Sequence, residues 1–227
     1  MNSVRILLSI LLTFSFSSPG LAINKCTDDK GNVSFQDSPC KPGHKSEVES
    51  FSQDRDSDNV NNLNPVYVEI PGVGTAVLFS YKWWSSRVVQ ADSEAPPTIK
   101  MVAKNGEEPL SLSITFLPNR TGRKIPLEES VDTVHRMASR YVEGSVEREV
   151  IVHKLDTSIG PAVLASFNDA KYLKDPVPAG EYSSITVGQA AHSKLIVGFT
   201  ILTNGTNSKA LTEALNILGS FQVVAKE

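Results

Sequence analysis

Two cysteines, two tryptophans and four histidines among 227 residues leave little from which to assemble a metal or nucleophilic site. Cys26 and Cys40 lie 14 positions apart, so the C-x-x-C spacing of a redox pair is missing. A structural zinc ion wants four ligands, and His44 alone stands beside that pair. His135, His153 and His192 are isolated from one another in the sequence, and no H-E-x-x-H helix is present. No G-x-S-x-G elbow marks a hydrolase serine, and no G-x-x-x-x-G-K-[ST] loop marks a nucleotide site. Positive charge is also short. Lys and Arg number 22 against 25 Asp and Glu, a formal charge of −3. Phosphate backbones need clustered positive charge, so nucleic acid is disfavoured as a partner. No apolar run reaches the roughly 20 residues a membrane-spanning helix requires.

What apolar runs exist are informative. Ile6 to Phe16 is one of 11 residues, preceded by Arg5 and followed by Gly20-Leu21-Ala22. That is the pattern of a secretory leader, so residues 1–22 are expected to be removed on export. Cys26 lacks a small residue just before it, which argues against lipid attachment. The expected product is a periplasmic or secreted chain without a membrane anchor, one charge more negative once Arg5 is lost. In that compartment two cysteines favour a disulfide. Lys30-Gly31-Asn32 reads as a turn between two short strands, and a hairpin so small needs a staple. Closing such a loop stabilises by roughly 3 kcal/mol in the chain-entropy account. Redox or metal use of the pair is the alternative.

The stretch from Leu110 to Val142 organises the rest. Leu112, Ile114 and Phe116 alternate as in a strand. Leu127, Val131, Val134, Ala138 and Val142 then recur at helical spacing. Such a helix must cover a sheet or another helix. Strands are also expected at Val66–Ile70, Thr75–Tyr81, Thr98–Val102, Ser145–Lys154, Ala162–Phe167, Ser183–Val187 and Ser193–Leu202. A second helix is expected from Ser208 to Leu218, with Leu211, Ala214, Leu215 and Leu218 on its stripe. Hairpin-like links predominate over regular βαβ alternation. The expected class is α+β: an antiparallel β-sheet packed by two main helices, with a small disulfide-stapled N-terminal β-hairpin. Residues 41–64 are rich in Ser, Asp, Glu, Asn and Gln and read as a flexible tether, with a short helix near Ser46–Gln53 as the alternative. The main domain is expected over 65–227.

Residues Ile23 to Cys40 resemble a small domain found after the signal peptide of many secreted proteobacterial proteins. The shared pattern is Lys25-Cys26, an acidic turn with Gly31, Val33-Ser34-Phe35, then Asp37-Ser38-Pro39-Cys40. Asn24 departs from it, standing where that family has an aromatic. The resemblance implies export and a Gram-negative origin; the family has no known function. From about Pro65 to Val224, the element order and the ending Val197-Gly198-Phe199-Thr200-Ile201-Leu202-Thr203-Asn204, a short helix and Ser220-Phe221 resemble the fold of the photosystem extrinsic protein PsbP and its bacterial relatives. That likeness implies a non-enzymatic binding or assembly factor and carries over no site residues.

Candidate binding residues follow from type and position. Of Trp83 and Trp84, one is expected to pack in the core and the other to cover an edge; the alternative is an aromatic platform beside Lys82 and Arg87, in which at most one would reach a ligand because neighbours on a strand face opposite ways. Arg120, Arg123 and Lys124 form a basic turn around Gly122, expected to be solvated, with backbone N–H groups turned to an anion as the alternative. Lys171 and Tyr172 lie in a long loop with Pro176 and Pro178. The expected function is a non-catalytic periplasmic binding or accessory protein whose partner is an envelope protein or small ligand, with no cofactor. A secreted hydrolase with a site built from distant loops, or a structural envelope protein, are the rival classes.

Overall fold

The computed structural model describes residues 22–27, 33–36, 42, 45–50, 62–89 and 95–225. The chain divides into two compact units, with the boundary in the sequence between Asp54 and Arg55.

In the first unit β1 (Ala22–Thr27) pairs antiparallel with both β2 (Val33–Gln36) and β3 (Lys45–Ser50). The β1–β2 hairpin is as the sequence suggests, with Cys26 opposite Ser34. The third strand is a correction. Lys45–Ser50 falls in the stretch read as a tether, and it forms neither coil nor helix. Its one sizeable apolar residue, Val48, sits opposite Asn24. A strand that gains its hydrogen bonds from a neighbour needs little hydrophobicity of its own, so composition hid it. Cys40, the Lys30–Asn32 turn and the leader up to Leu21 lie outside the described residues. The disulfide expectation is therefore not placed by the structure.

The second unit is α+β, built from antiparallel sheets and two helices. A seven-stranded sheet runs in the order β6 (Trp84–Val89), β7 (Thr98–Ala103), β8 (Leu110–Pro118), β12 (Leu195–Thr203), β11 (Ser184–Ala191), β10 (Gly160–Asn168), β9 (His153–Thr157). A three-stranded sheet holds β13 (Gln222–Ala225), β5 (Gly74–Tyr81) and β4 (Leu63–Ile70). The unit's first strand thus opens two residues before Pro65. Proline is tolerated there because β4 is an edge strand, hydrogen-bonded on one side only. The β4–β5 link, Pro71-Gly72-Val73, turns through Gly72 at φ +75°, a conformation that favours glycine.

The helices sit on opposite faces of the large sheet. Helix α2 (Lys209–Ser220) and the small sheet cover one face. Leu112, Ile114 and Phe116 of β8 and Val197, Phe199 and Ile201 of β12 meet Val68, Leu78, Leu211 and Leu218 there in the larger core. Helix α1 (Leu127–Ala138) packs on the other face, against β10 and β11. Val134 and Ala138 meet Val163, Ala165, Phe167 and Val187 in a second, smaller core. Ala162, Val163, Leu164 and Ala165 of β10 are all buried because both faces of that strand are covered. Over β8 the outer face is only half covered: Ser111, Ser113 and Thr115 are partly exposed.

One expected strand is displaced. Ser145–Lys154 alternates in sequence, yet the strand begins only at His153. Arg148 takes φ +59°, and the Ser145 hydroxyl accepts the Arg148 N–H at 3.2 Å. This side-chain turn competes with extended pairing.

Candidate binding site

Apart from Arg87, which lies mid-strand in β6, the candidate residues fall at two ends of the large sheet. Residue pairing across the strands locates them. Leu110 lies opposite Thr203, Thr203 opposite Ser184, and Ser184 opposite Asn168. The Lys104 N–H bonds the Trp83 carbonyl at 3.0 Å, which places Trp83 at this same end. Lys171 and Tyr172 follow Asn168 directly. Arg120, Arg123 and Lys124 follow Pro118, the far end of β8, which at about 3.3 Å per residue is roughly 25 Å away. The four groups therefore do not form one surface.

Trp84 is buried, with its ring at 5.0 Å edge-on to Tyr81. Trp83 is the half-exposed one. It stacks on Tyr81 at 4.8 Å, and its indole N–H donates to Glu213 at 3.2 Å. Lys209 Nζ stands over the Trp83 ring at 5.4 Å and pairs with Glu213 at 3.3 Å. Burial, then the Glu213 charge, pushes the Tyr81 hydroxyl pKa up. This cluster fastens the β5–β6 turn to α2. Arg87 is exposed in the middle of β6, an edge strand. Lys171 Nζ donates to the Tyr172 hydroxyl at 3.0 Å and lies 3.6 Å from Glu181, while the Tyr172 hydroxyl bonds the same carboxylate.

The basic turn is well anchored. Asn119 is buried beneath it. Its Oδ1 accepts the Thr121 N–H at 3.2 Å and the Thr121 hydroxyl at 2.6 Å. Its amide donates to the Arg123 carbonyl at 2.8 Å, and its backbone N–H to the Lys194 carbonyl at 2.9 Å. Asn119 thus ties its own turn to the β11–β12 turn. Arg123 makes two parallel hydrogen bonds to Glu129, at 2.8 and 2.7 Å. Those bonds hold the Glu129 carboxyl below its usual pKa. Arg120, Lys124 and Lys194 have no carboxylate partner among the described residues.

Sequence reasoning missed Glu213, Lys194 and Asn119. An Asn two residues before a free N–H is a turn signature, so Asn119 was legible in Asn119-Arg120-Thr121. Glu213 and Lys194 were not, since each acquires its neighbours from strands or helices remote in sequence. Two further carboxylates hold the fold. Glu147 accepts the Asn168 backbone N–H at 3.0 Å and the Asn168 amide at 2.9 Å. Glu108 accepts the Ala210 N–H at 3.0 Å, in the first turn of α2. Among the described residues, no group of three or more His, Cys, Asp or Glu side chains converges, and no helix is long and apolar enough to cross a membrane.

A family model described as a domain of unknown function (DUF4124) matches residues 10–55, which contain the three-stranded unit. No curated protein and no solved structure matches the chain.

Proposed function

We infer that the chain is a non-catalytic binding or accessory protein of the bacterial envelope, acting in the periplasm or outside the cell. The observation that carries this reading is the use made of three carboxylates, Glu213 buried, Glu147 half-buried and Glu108 exposed. Glu213 is taken up by the Trp83 indole and Lys209, Glu147 by the Asn168 amides, and Glu108 by the first turn of α2. A general acid or base must offer a proton or lone pair to a substrate. These three offer theirs to the fold. The open surface instead carries unpaired cations and half-exposed aromatics, the side chains that recognition uses.

The order of strands, α1, four strands and α2 also supports a PsbP-like reading of residues 65–227, a fold whose members mostly bind or assemble rather than catalyse. The stapled hairpin, closed by Cys26 and Cys40, belongs to the same proposal. Intact-mass measurement after thiol alkylation without reduction should find neither cysteine labelled, and full labelling of both would refute the staple. For the function itself, crosslinking in the periplasm should capture a discrete partner saturably. Turnover of an ester, glycoside or peptide substrate by the purified chain, lost on changing one Ser, Asp or His, would overturn the reading.

A further inference from the structure

Three turns meet at the Arg120 end of the large sheet: the β4–β5 link, the β8–α1 turn and the β11–β12 turn. Between them lies an open depression of about 450 Å³, lined by Pro71, Val73, Pro118, Arg120, Ser193 and Lys194 among others. Its two cations come from different turns, more than seventy residues apart in sequence. Asn119 holds those turns together through its backbone bond to the Lys194 carbonyl and its amide bond to the Arg123 carbonyl. A second amide contact reaches the His192 carbonyl at 3.4 Å. The relative placement of the two turns' backbones is thus built into the fold. Arg123 is withdrawn by Glu129, and Arg120 and Lys194 remain uncompensated among the described residues. The acid nearest in sequence to the β4–β5 link, Glu69, accepts a hydrogen bond from Thr75 at 2.7 Å.

We propose that this depression is an anion site that takes a phosphate group. It deepens the binding reading above and rests on it. A guanidinium fork and an ammonium carried on two separate turns that line one depression suit an oxyanion with several acceptor oxygens. Pro71, Val73 and Pro118 give the rest of the ligand an apolar wall. The site is open, so the ligand keeps part of its surface in water. The phosphate can belong to a lipid headgroup or to a free phosphate. The overall negative charge of the chain does not forbid this, because beyond about 8 Å surface charges are largely screened at physiological salt.

The test is an NMR titration of the exported chain with inorganic phosphate, against sodium chloride at matched ionic strength. Saturable shifts are expected at Arg120, Gly122, Ser193 and Lys194. The Arg120→Ala/Lys194→Ala double variant should bind about tenfold or more weakly, with an unchanged melting temperature, and Lys100→Ala, an exposed residue of β7, should bind as wild type. A parallel titration with dihexanoylphosphatidylglycerol, kept below its micelle concentration, separates the two sources. Tighter binding with added shifts at Val73 identifies a headgroup, and equal binding identifies free phosphate. Shifts that never saturate, that scatter over all basic residues, or that persist in the double variant would overturn the site. A crosslinked partner retained by the double variant would sink this site while leaving the binding reading intact. Turnover of a phosphate ester would sink the binding reading instead.

Discussion

Helices α1 and α2 have the same length, twelve residues, and both are amphipathic, yet α1 buries three side chains and α2 six. The difference is what surrounds them. Helix α1 lies on one face of β10 and β11 and keeps its far side in water. Helix α2 packs against strands of both sheets, β5 on one side and β8, β9 and β12 on the other. A helix on a single face shows its whole contact in one sequence stripe. A helix clamped between two sheets buries residues beyond its stripe, including Glu213, whose charge must then be met by Trp83 and Lys209. The ends differ in the same sense. The Ser208 hydroxyl accepts the Leu211 N–H at 3.1 Å and Glu108 adds a second acceptor, whereas Pro126 offers α1 no side-chain cap.

The comparison can be broken most forcefully at the helix centres. Ala214→Asp puts a charge where both sheets close on α2 and should cost about 4 kcal/mol or more, leaving no cooperative melting transition. Val134→Asp in α1 should cost about 3 kcal/mol, because the helix can lift at an open edge; a melting temperature lower by roughly 10 °C is expected. Equal losses would mean that α1 is as enclosed as α2.

A second test lies beneath α2. Gly188 stands opposite Phe199, and a Cβ there would come within 2.2 Å of the Phe199 ring and 2.7 Å of the Val163 carbonyl. Gly188→Ala should cost about 2 kcal/mol, read by denaturant titration, and Phe199→Leu in the same chain should recover part of the loss. Additive losses would show that the ring can move aside freely.

Smaller effects sharpen the capping contrast. Ser208→Ala should cost about 1 kcal/mol, near 3 °C in melting temperature, while Pro126→Ala should change little. A larger loss at Pro126 would reverse the assignment of the ends.

The smallest effect is a pH dependence at His153, where β9 joins the sheet. Burial lowers its pKa. Below about pH 6.5 the unfolded chain binds the proton more readily than the folded one, so this contribution is full above that pH and declines as pH falls. Between about pH 7 and pH 5 the melting temperature of wild type should drop more steeply than that of His153→Gln. Parallel profiles would exclude His153 as the source.

Much of the second unit was legible. The alternation of Leu112, Ile114 and Phe116, and the stripe of Leu127, Val131, Val134 and Ala138, reflect local backbone geometry that repeats every two or 3.6 residues, whereas Val142, expected on the same stripe, lies beyond the end of α1 at Ala138. Lys45–Ser50 and Ser145–Val152 misled in opposite directions. The first is polar and became a strand because β1 offers it a partner. The second alternates and stayed irregular because Ser145 and Arg148 close a turn.

By itself the sequence determined most strands and both helices of the second unit, and that they build an antiparallel α+β domain. Only the tertiary structure decided that Trp83 is half-exposed while Trp84 is buried, that Trp83 and the basic turn lie at opposite ends of one sheet, and that Lys194 and Arg120 line one depression. The physical reason is the range of the interactions. Periodicity is written into neighbouring residues, whereas β8 takes its place between β7 and β12 by pairing with a strand some eighty residues later. That pairing sets which turns meet, and the candidate site exists only where they do.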